Sequence, residues 1–192
     1  MTRIIAGRWA GRRLSVPAGA RPTTDRVREA MFSTLEHRLP GFAGRHVLDL
    51  FAGSGALGLE ALSRGADHAT AVERQRGAVA LLRRNATALG AGAAFTVVAA
   101  DAWQWSPHGR PADLLLVDPP YEAPSQRLAE LLARIARAGG LAAGAIVVVE
   151  RPRRDRSVPF PGGWEYDQRS YGETAVWYGR AQKGSQPQSE EG

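Results

Sequence analysis

The chain has 192 residues, of which 44% are hydrophobic and 23% are charged, a balance typical of a globular domain with a full apolar core. It contains no cysteine, which excludes disulfides, cysteine-ligated zinc and a thiolate nucleophile, and which suits a reducing cytoplasm. No apolar run reaches the roughly 20 residues of a membrane span, and the first residues lack a signal-peptide pattern, so we expect a cytoplasmic protein without membrane contact.

Positive charge is concentrated near the amino terminus. Residues 1–28 hold seven arginines and one acid, which equals the net charge of +6 for the whole chain. Such a basic segment favours a nucleic-acid partner, because neutralising phosphates supplies most non-specific affinity. Arginine is common throughout, with 24 against one lysine, so a merely solubilising segment is the alternative. The candidate nucleic-acid-binding residues are Arg3, Arg8, Trp9, Arg12, Arg13, Arg21 and Arg28.

The first elements in chain order are a hairpin and a helix. Residues 2–17 alternate imperfectly around Gly7 and Gly11, which predicts a basic β-hairpin. A helix follows, with Thr24 or Asp25 as its cap and Pro40 marking its end.

From residue 44 onward, short apolar strands alternate with helices. The pattern predicts strands at 46–52, 68–73, 93–101, 113–120 and 144–150, and helices at 55–65, 76–90 and 125–140. Continuous apolar strands between helices indicate a parallel sheet covered on both faces. Residues 164–180 predict an antiparallel hairpin that turns at Gly172.

We therefore predict an α/β fold with a doubly wound, mostly parallel sheet and an antiparallel carboxy-terminal hairpin. The predicted domains are a basic amino-terminal hairpin extension over residues 1–22 and a Rossmann-like domain over 23–180. Residues 181–192 are predicted to form a disordered polar tail.

The loop after the strand at 46–52 carries a nucleotide-binding pattern. Gly53, Gly55 and Gly58 satisfy G-x-G-x-x-G, and Glu73, twenty residues beyond Gly53, could bind ribose hydroxyls. Glycines needed only for tight helix–strand packing are the alternative. The candidate cofactor-binding residues are Asp49, Phe51, Ala52, Gly53, Ser54, Gly55, Glu73, Arg74, Asp101 and Ala102.

Three acids favour S-adenosylmethionine over NAD as the cofactor. Asp49, Glu73 and Asp101 lie in or at the ends of three successive strands. S-adenosylmethionine offers an ammonium group, a ribose diol and an adenine amine to these acids, whereas a pyrophosphate would gain nothing from Asp49. Singly, each acid could instead be a helix cap or a solvated strand end.

The strand at 113–120 ends in Asp118-Pro119-Pro120-Tyr121, and these four are the candidate catalytic residues. An exocyclic amine of a nucleobase is a poor nucleophile, so an enzyme that methylates it must orient the amine and accept its hydrogens. The Asp118 carboxylate and the Pro119 carbonyl could do so, and Tyr121 could stack on the base. A diproline turn that merely ends a buried strand is the alternative.

Four segments in this order, "RIIAGRWAGRRL", "RPTTDRVREAMF", "DLFAGSGALGLEALSRGA" and "VDPPY", resemble the RsmD family of bacterial 16S ribosomal RNA guanine-N2 methyltransferases. The resemblance extends to about residue 180. It implies a seven-stranded sheet, S-adenosylmethionine as donor, and methylation of one guanine on an assembled or nearly assembled small ribosomal subunit.

The resemblance also implies roles for individual residues. Residues 53–55 would form the cofactor loop, Glu73 would bind the ribose, Asp101 and Ala102 would lie beside the adenine, and residues 118–121 would hold the target amine. Residues 21–28 would cover the cofactor or the target base. The chain departs from the family at Arg74 and Gln75, where relatives often carry another acid, so contacts to the adenosine beyond Glu73 are in doubt.

Other functions stay open at this point. A DNA amino-methyltransferase acting on adenine N6 or cytosine N4 could use the same four residues, and an NAD-linked oxidoreductase or a non-catalytic RNA-binding assembly factor could use the same fold. We expect no metal and a monomer. The arginines at 151, 153, 154 and 156 fit either an RNA contact or a solvated loop.

Overall fold

The computed structural model describes residues 2–17 and 24–181. Its strands are β1 (Thr2–Arg3), β2 (Arg13–Leu14), β3 (His46–Leu50), β4 (His68–Glu73), β5 (Phe95–Ala99), β6 (Ala112–Val117), β7 (Leu141–Pro152), β8 (Glu165–Tyr171) and β9 (Thr174–Arg180). Its α-helices are α1 (Asp25–Arg38), α2 (Ala56–Ser63), α3 (Arg76–Leu89) and α4 (Ser125–Arg137). None of the described helices is both long and apolar enough to cross a membrane.

Seven strands form one sheet in the order β5-β4-β3-β6-β7-β9-β8. The first five are mutually parallel, and β9 pairs antiparallel with both β7 and β8. The predicted doubly wound sheet with its antiparallel hairpin is therefore confirmed. The chain runs from β3 outward through β4 to β5 and then returns to β6 on the other side of β3, so the order reverses between β3 and β6. Ligands of open α/β sheets bind at such a reversal.

The sheet separates two apolar cores, because successive side chains of a strand lie on opposite faces. In β3, Val47 packs with the hairpin and with α1, α2 and α3, whereas Leu48 and Leu50 pack with α4 on the other face. All three side chains are buried. This two-sided burial explains why the parallel strands read as continuous apolar runs rather than as alternating ones.

The amino-terminal hairpin is short but firmly attached to the sheet domain. Thr2 pairs with Leu14, and Arg3 with Arg13. The backbone N–H groups of Ile5 and Ala6 donate to the carboxylate of Glu60 on α2, at 2.7 and 3.0 Å, and Glu60 is fully buried. The predicted boundary at residue 22 lies outside the described residues, and the hairpin and α1 share one apolar core.

Arg28 is buried at the start of α1 instead of lying on the basic surface. Its side chain is buried, and its guanidinium donates to the Thr2 hydroxyl, to the Arg3 carbonyl (2.5 Å) and to Asp25 (2.7 Å). These bonds tie the first turn of α1 to β1. The prediction that Arg28 contacts RNA is therefore wrong for this conformation, because its donors are directed inward. Thr24, not Asp25, caps α1 by accepting from the Val27 N–H.

Several element boundaries differ from the predicted ones. β5 begins at Phe95, after a short 3₁₀ turn over Gly92–Ala94, and β6 ends at Val117, so residues 118–121 lie wholly in the following loop. β7 is twelve residues long and extends to Pro152. Ala181 is buried and donates to the Ala145 carbonyl; the remainder of the predicted tail, residues 182–192, lies outside the described residues.

Candidate active site

The carboxyl ends of β5, β4, β3 and β6 meet at one edge of the sheet, beside the reversal in strand order. A cavity of 390 Å³ opens there. Its walls include five of the predicted cofactor-binding residues and all four predicted catalytic residues, namely Phe51, Glu73, Arg74, Asp101, Ala102, Asp118, Pro119, Pro120 and Tyr121. Residues from four separate strand ends therefore converge on one site, and Glu73, Asp101 and Asp118 are among them.

The loop between β3 and α2 has an unusual backbone. Phe51 adopts a φ of 61°, a left-handed conformation that costs a non-glycine residue of order 1 kcal/mol. The N–H of Ala52 donates to the Val72 carbonyl of β4, and the Phe51 ring packs on Trp103 at 5.0 Å between centroids. The loop is thus held from two sides, which fixes the ring of Phe51 in the cavity wall.

Gly55 is left-handed at the start of α2 and lies close to α3. Its φ is 78°, and a Cβ built on it would lie 2.2 Å from the Leu82 side chain of α3. Gly53 is also left-handed, with a φ of 54°. Ala52, Gly53, Ser54 and Gly55 do not line the cavity itself; they form the turn that brings α2 to the edge of the sheet.

Glu73 orders the backbone around the cavity. The side chain is buried, and its two carboxylate oxygens accept from the N–H groups of Gly53 (3.0 Å) and Gln75 (2.8 Å). The carboxylate therefore lies at the end of β4 in a fixed orientation, as a ribose-binding acid requires. Each carboxylate oxygen retains a second lone pair for a ligand hydroxyl.

Asp101 and Arg74 face each other across the cavity wall. Asp101 accepts from the Trp103 N–H at 3.0 Å, and its other oxygen lies 3.6 Å from the Arg74 guanidinium. The side chain of Arg74 is 61% exposed, so this ion pair is weak in water. Arg74 is thus an exposed cation at the cavity wall, beside an acid of the same wall.

Asp49 lies behind the loop and does not line the cavity. It is buried, and one carboxylate oxygen accepts from the Gly58 N–H of α2 at 2.9 Å. Burial, together with the nearby Asp118 and Glu73 carboxylates and only partly offset by this hydrogen bond, raises the pKa of Asp49 to about 7. Direct contact with a ligand ammonium was predicted for Asp49, but here its contact is with α2.

Arg151, at the end of β7, contacts the loop that contains residues 118–121 and the residues that follow it. The Arg151 side chain is buried, donates to the Ala123 carbonyl at 2.6 Å and forms an ion pair with Asp155 at 2.6 Å. A longer contact of 3.5 Å reaches the Pro120 carbonyl. Neither proposed role for Arg151, an RNA contact or a solvated loop, is correct, because its donors are used within the protein. Arg153, Arg154 and Arg156 are exposed.

A second cavity of 570 Å³ adjoins the first, and Tyr121 lines both. Its walls come from the start of α1, the end of β7 and the β8–β9 turn, and include Thr24, Arg26, Glu150, Arg154, Tyr171 and Thr174. Glu150 is 4% exposed, so a carboxylate belongs to the buried part of this cavity. Glu150 was not among the predicted site residues, although its position at the end of the predicted strand at 144–150 is a signal of the same kind as that of Glu73.

The hairpin residues predicted to bind nucleic acid divide into two groups. Arg3, Arg8, Arg12 and Arg13 are exposed. Trp9 is buried in the core beneath Arg8, whose guanidinium lies 4.1 Å from the ring centroid, so the ring packs inward and is covered by that arginine. Arg21 lies outside the described residues.

Comparison with known proteins places this geometry in a family. The family described as Conserved hypothetical protein 95 matches residues 2–180. A curated relative, Ribosomal RNA small subunit methyltransferase D of Escherichia coli (strain K12), is 42% identical over 165 residues, which cover 84% of this chain and 80% of the relative. The chain belongs to the RsmD family. The resemblance seen in the four sequence motifs is thereby confirmed.

Two further comparisons agree with the assignment of this chain to the RsmD family. Ribosomal RNA small subunit methyltransferase D of Haemophilus influenzae is 34% identical over 169 residues, covering 84% of each chain. The solved structure of the Escherichia coli protein yhhF superposes with a TM-score of 0.80 at 35% identity, covering 94% of this chain and 97% of that chain. The similarity therefore includes the hairpin and the whole sheet, and is not limited to the strands around the cofactor cavity.

Proposed function

We propose that this RsmD-family protein transfers a methyl group from S-adenosylmethionine to the exocyclic N2 amine of a guanine in small-subunit ribosomal RNA. The observation that carries the proposal is the position of Tyr121, which lines two adjoining cavities. One cavity has the acids expected of a site for S-adenosylmethionine, and the other has room for a nucleobase. Asp118 lies in the wall of the first, just before the residue that both cavities share.

The residues of the first cavity fit S-adenosylmethionine. Glu73 would accept from the ribose hydroxyls, Asp101 would lie beside the adenine amine, and Phe51 would pack against the adenine ring. The described cavity walls hold acids at three strand ends, Glu73, Asp101 and Asp118, against one cation, Arg74, so the site does not favour a pyrophosphate. The bound cofactor would supply a methyl group activated by a sulfonium.

The residues at the end of β6 would orient the amine. The guanine N2 amine is weakly nucleophilic because its lone pair is delocalised into the ring. Hydrogen bonds from its two hydrogens to the Asp118 carboxylate and the Pro119 carbonyl would return electron density to nitrogen and direct it toward the methyl group. The nitrogen would gain a bond to the methyl carbon as the carbon–sulfur bond of the donor breaks and its electron pair returns to sulfur. The proton lost by the amine would pass to the Asp118 carboxylate, and the products would be N2-methylguanine and S-adenosylhomocysteine.

Glu150 supports guanine over the other bases. The Watson–Crick edge of guanine presents an N1–H beside the N2 amine, and a carboxylate can only accept. Adenine N1 and cytosine N3 are acceptors at the equivalent position, so a buried carboxylate would repel them. A site built to hydrogen-bond one base can reject a base with mismatched groups by several powers of ten. This argument favours guanine over the adenine and cytosine targets of a DNA amino-methyltransferase.

Ribosomal RNA is supported as the substrate by the relatives and by the charge. The Escherichia coli and Haemophilus influenzae relatives are named ribosomal RNA small subunit methyltransferases. Four hairpin arginines are exposed on this chain, where they could bind RNA phosphates. We extend the proposal to a monomer that acts in the cytoplasm on the small subunit or a late assembly intermediate.

The proposal is tested with labelled S-adenosylmethionine and three acceptors: small subunits lacking the modification, naked 16S RNA, and duplex DNA. Digested products are resolved as nucleosides. The expected product is N2-methylguanosine from the subunits. Label found only in DNA would retain the site but refute the substrate, and label in another base would refute the guanine assignment.

The role of Asp118 is tested by Asp118→Asn, which keeps the shape but removes the charge. We expect transfer to fall by about 100-fold or more, because a general acid–base group contributes roughly that much, while the affinity for S-adenosylhomocysteine stays within about twofold. Glu122→Gln is the matched control, since Glu122 is an exposed acid of the same loop and lines the same cavity. Full activity of Asp118→Asn would refute the proposed orientation of the amine.

A further inference from the structure

The exposed surface of α3 continues the basic surface of the hairpin. Residues 2–17 hold four arginines and no acid, and residues 74–100 hold four more and no acid. All eight side chains are exposed. The chain has 25 basic and 19 acidic residues, so 17 basic and 19 acidic residues remain outside these two segments, a net charge of −2. The whole positive excess of the protein therefore lies on the two segments, which a general abundance of arginine does not explain.

Two side chains join the hairpin to α3. Arg12 donates to the Ala88 carbonyl at 2.7 Å, near the carboxyl end of the helix. Asn85 is buried and binds both backbone groups of Ser15, accepting from its N–H at 3.1 Å and donating to its carbonyl at 2.9 Å. The hairpin therefore adjoins the carboxyl-terminal half of α3, and we call the exposed arginines of these two neighbouring elements the basic strip. It consists of Arg8, Arg12, Arg13, Arg76, Arg83 and Arg84.

The basic strip leads toward the cofactor cavity. Arg74 lines that cavity, and α3 begins two residues later, at Arg76. Arg83 follows seven residues after Arg76 and so lies on the same face of the helix. A helix of 14 residues is about 21 Å long, so α3 extends about that far from Arg76 toward its contact with the hairpin.

The chemistry of the strip favours phosphates as its ligand. Among the residues that the structure describes, none of the six arginines of the strip forms an ion pair with a carboxylate. The large hydrophobic side chains exposed in the described ranges are Tyr121, Val158 and Tyr166, none of which lies on the strip. A protein interface usually has an apolar centre, whereas a phosphate-binding surface needs only guanidinium groups.

We propose that α3 is an RNA-contact surface, and that RNA follows the basic strip from the hairpin along Arg83, Arg84 and Arg76 to the active site. The inference rests on the proposed function, since it names a further surface for the same RNA. Asn85 gives this contact a structural link to the cofactor loop, because its side-chain amide also donates to the Ser54 carbonyl at 2.9 Å.

The test compares two double variants in an RNA-binding titration. In the first, Arg83→Gln is combined with Arg84→Gln on α3. The matched control combines Arg137→Gln and Arg180→Gln, which remove the same charge from exposed arginines outside the strip. Binding of a fluorescent 16S RNA fragment is measured by anisotropy between about 50 and 200 mM salt, where counterion release makes the affinity depend on salt.

We expect the α3 variant to bind RNA about tenfold more weakly at low salt and to reduce the slope of log K against log salt by about 1 to 2. The control should change affinity by less than about twofold, and both should bind S-adenosylhomocysteine like the wild type. Equal RNA binding by the α3 variant and the control would overturn the inference. The titration does not depend on methyl transfer, so a wild type that binds RNA along the strip but methylates no RNA would contradict the proposed function and not the surface.

Discussion

Arg151 differs sharply from the arginines that follow it. Arg153, Arg154 and Arg156 are exposed, whereas Arg151 is buried with its donors on Asp155 and on the Ala123 carbonyl. Although burial raises the pKa of Asp155, hydrogen bonds from Arg151, the Ser157 N–H and Ser125 lower it below its ordinary value. The pair therefore connects the end of β7 to the loop that follows Tyr121.

We expect Arg151→Lys to lower kcat for methyl transfer by about tenfold or more, since an ammonium cannot reproduce the forked contacts of a guanidinium. The affinity for S-adenosylhomocysteine should change by less than twofold, because Arg151 lies outside the cofactor cavity. Steady-state kinetics and a cofactor titration measure the two quantities. Arg153→Lys is the control and should resemble the wild type. A proportional loss of kcat and of cofactor affinity would indicate general unfolding rather than misplacement of the loop.

The pH dependence of stability provides a separate test of the ion pair between Arg151 and Asp155. The folded pKa of Asp155 is depressed, so the pair stabilises the fold above the ordinary pKa of aspartate, and this contribution is lost as the pH falls through the folded pKa. Arg151→Met should thus lower the free energy of unfolding by about 2–4 kcal/mol at neutral pH. Denaturant titrations at pH 7 and near pH 3 should show this difference shrinking in acid.

Charge and spacing in the sequence identified which positions reach the sheet edge, but not which arginines are buried. Glu73, Asp101 and Asp118 were predictable because they follow apolar strands whose ends must meet at one edge. Arg28 and Arg151 were not, because their carbonyl and carboxylate partners belong to other elements of the fold. The sequence shows that these residues are charged. Whether the charged group is exposed to a ligand or buried within the protein depends on tertiary contacts.

The hairpin shows how one element is fixed by another that is distant in sequence. Gly7 lies directly against α2: a Cβ built on it would be 1.9 Å from the Ser63 carbonyl oxygen. The neighbouring Arg8 N–H donates to that same carbonyl at 2.8 Å. The close approach allows Glu60 to bind the backbone of Ile5 and Ala6. The turn in the sequence predicted a hairpin, but nothing local to it predicted α2 as its partner.

Two glycines of the hairpin provide a matched pair of substitutions. Gly7→Ala should lower the free energy of unfolding by more than about 3 kcal/mol, because it adds a backbone clash to the cost of a left-handed alanine. Gly11→Ala should cost only about 1–2 kcal/mol, since Gly11 has a similar φ of 79° but nothing within 4 Å of its Cβ position. Denaturant unfolding measures both values. Equal costs would show that the hairpin does not depend on its close contact with α2.

Hydrogen exchange gives the same comparison at the level of single amides. In Gly7→Ala, the N–H groups of Ile5 and Ala6 should exchange faster than in Gly11→Ala, because their acceptor Glu60 would no longer be in reach.

At the scale of the whole molecule, the order of the strands brings the site residues together. The reversal between β3 and β6 brings the glycine loop, Glu73 and Asp118 to one edge, although they are distributed over about 70 residues of sequence. This convergence was predictable, since the alternation of strands and helices leaves few topologies. The second cavity was not, because its walls combine α1, β7 and the β8–β9 turn, which no periodic pattern associates.

The thermal stability of the whole protein should report which cofactor it binds. A ligand at about 100 times its Kd stabilises the folded state by about 2.7 kcal/mol, which for a domain of this size raises Tm by about 5–10 °C. We expect that shift with S-adenosylhomocysteine and none with NAD at the same concentration. The acids Glu73, Asp101 and Asp118 outnumber the one cation, Arg74, among the described lining residues, and so disfavour the pyrophosphate of NAD. Glu73→Ala should abolish the shift, since it removes the ribose acceptor and frees the Gly53 and Gln75 N–H groups from their acceptor. A shift with NAD that Glu73→Ala also abolishes would instead identify an oxidoreductase cofactor in the same cavity.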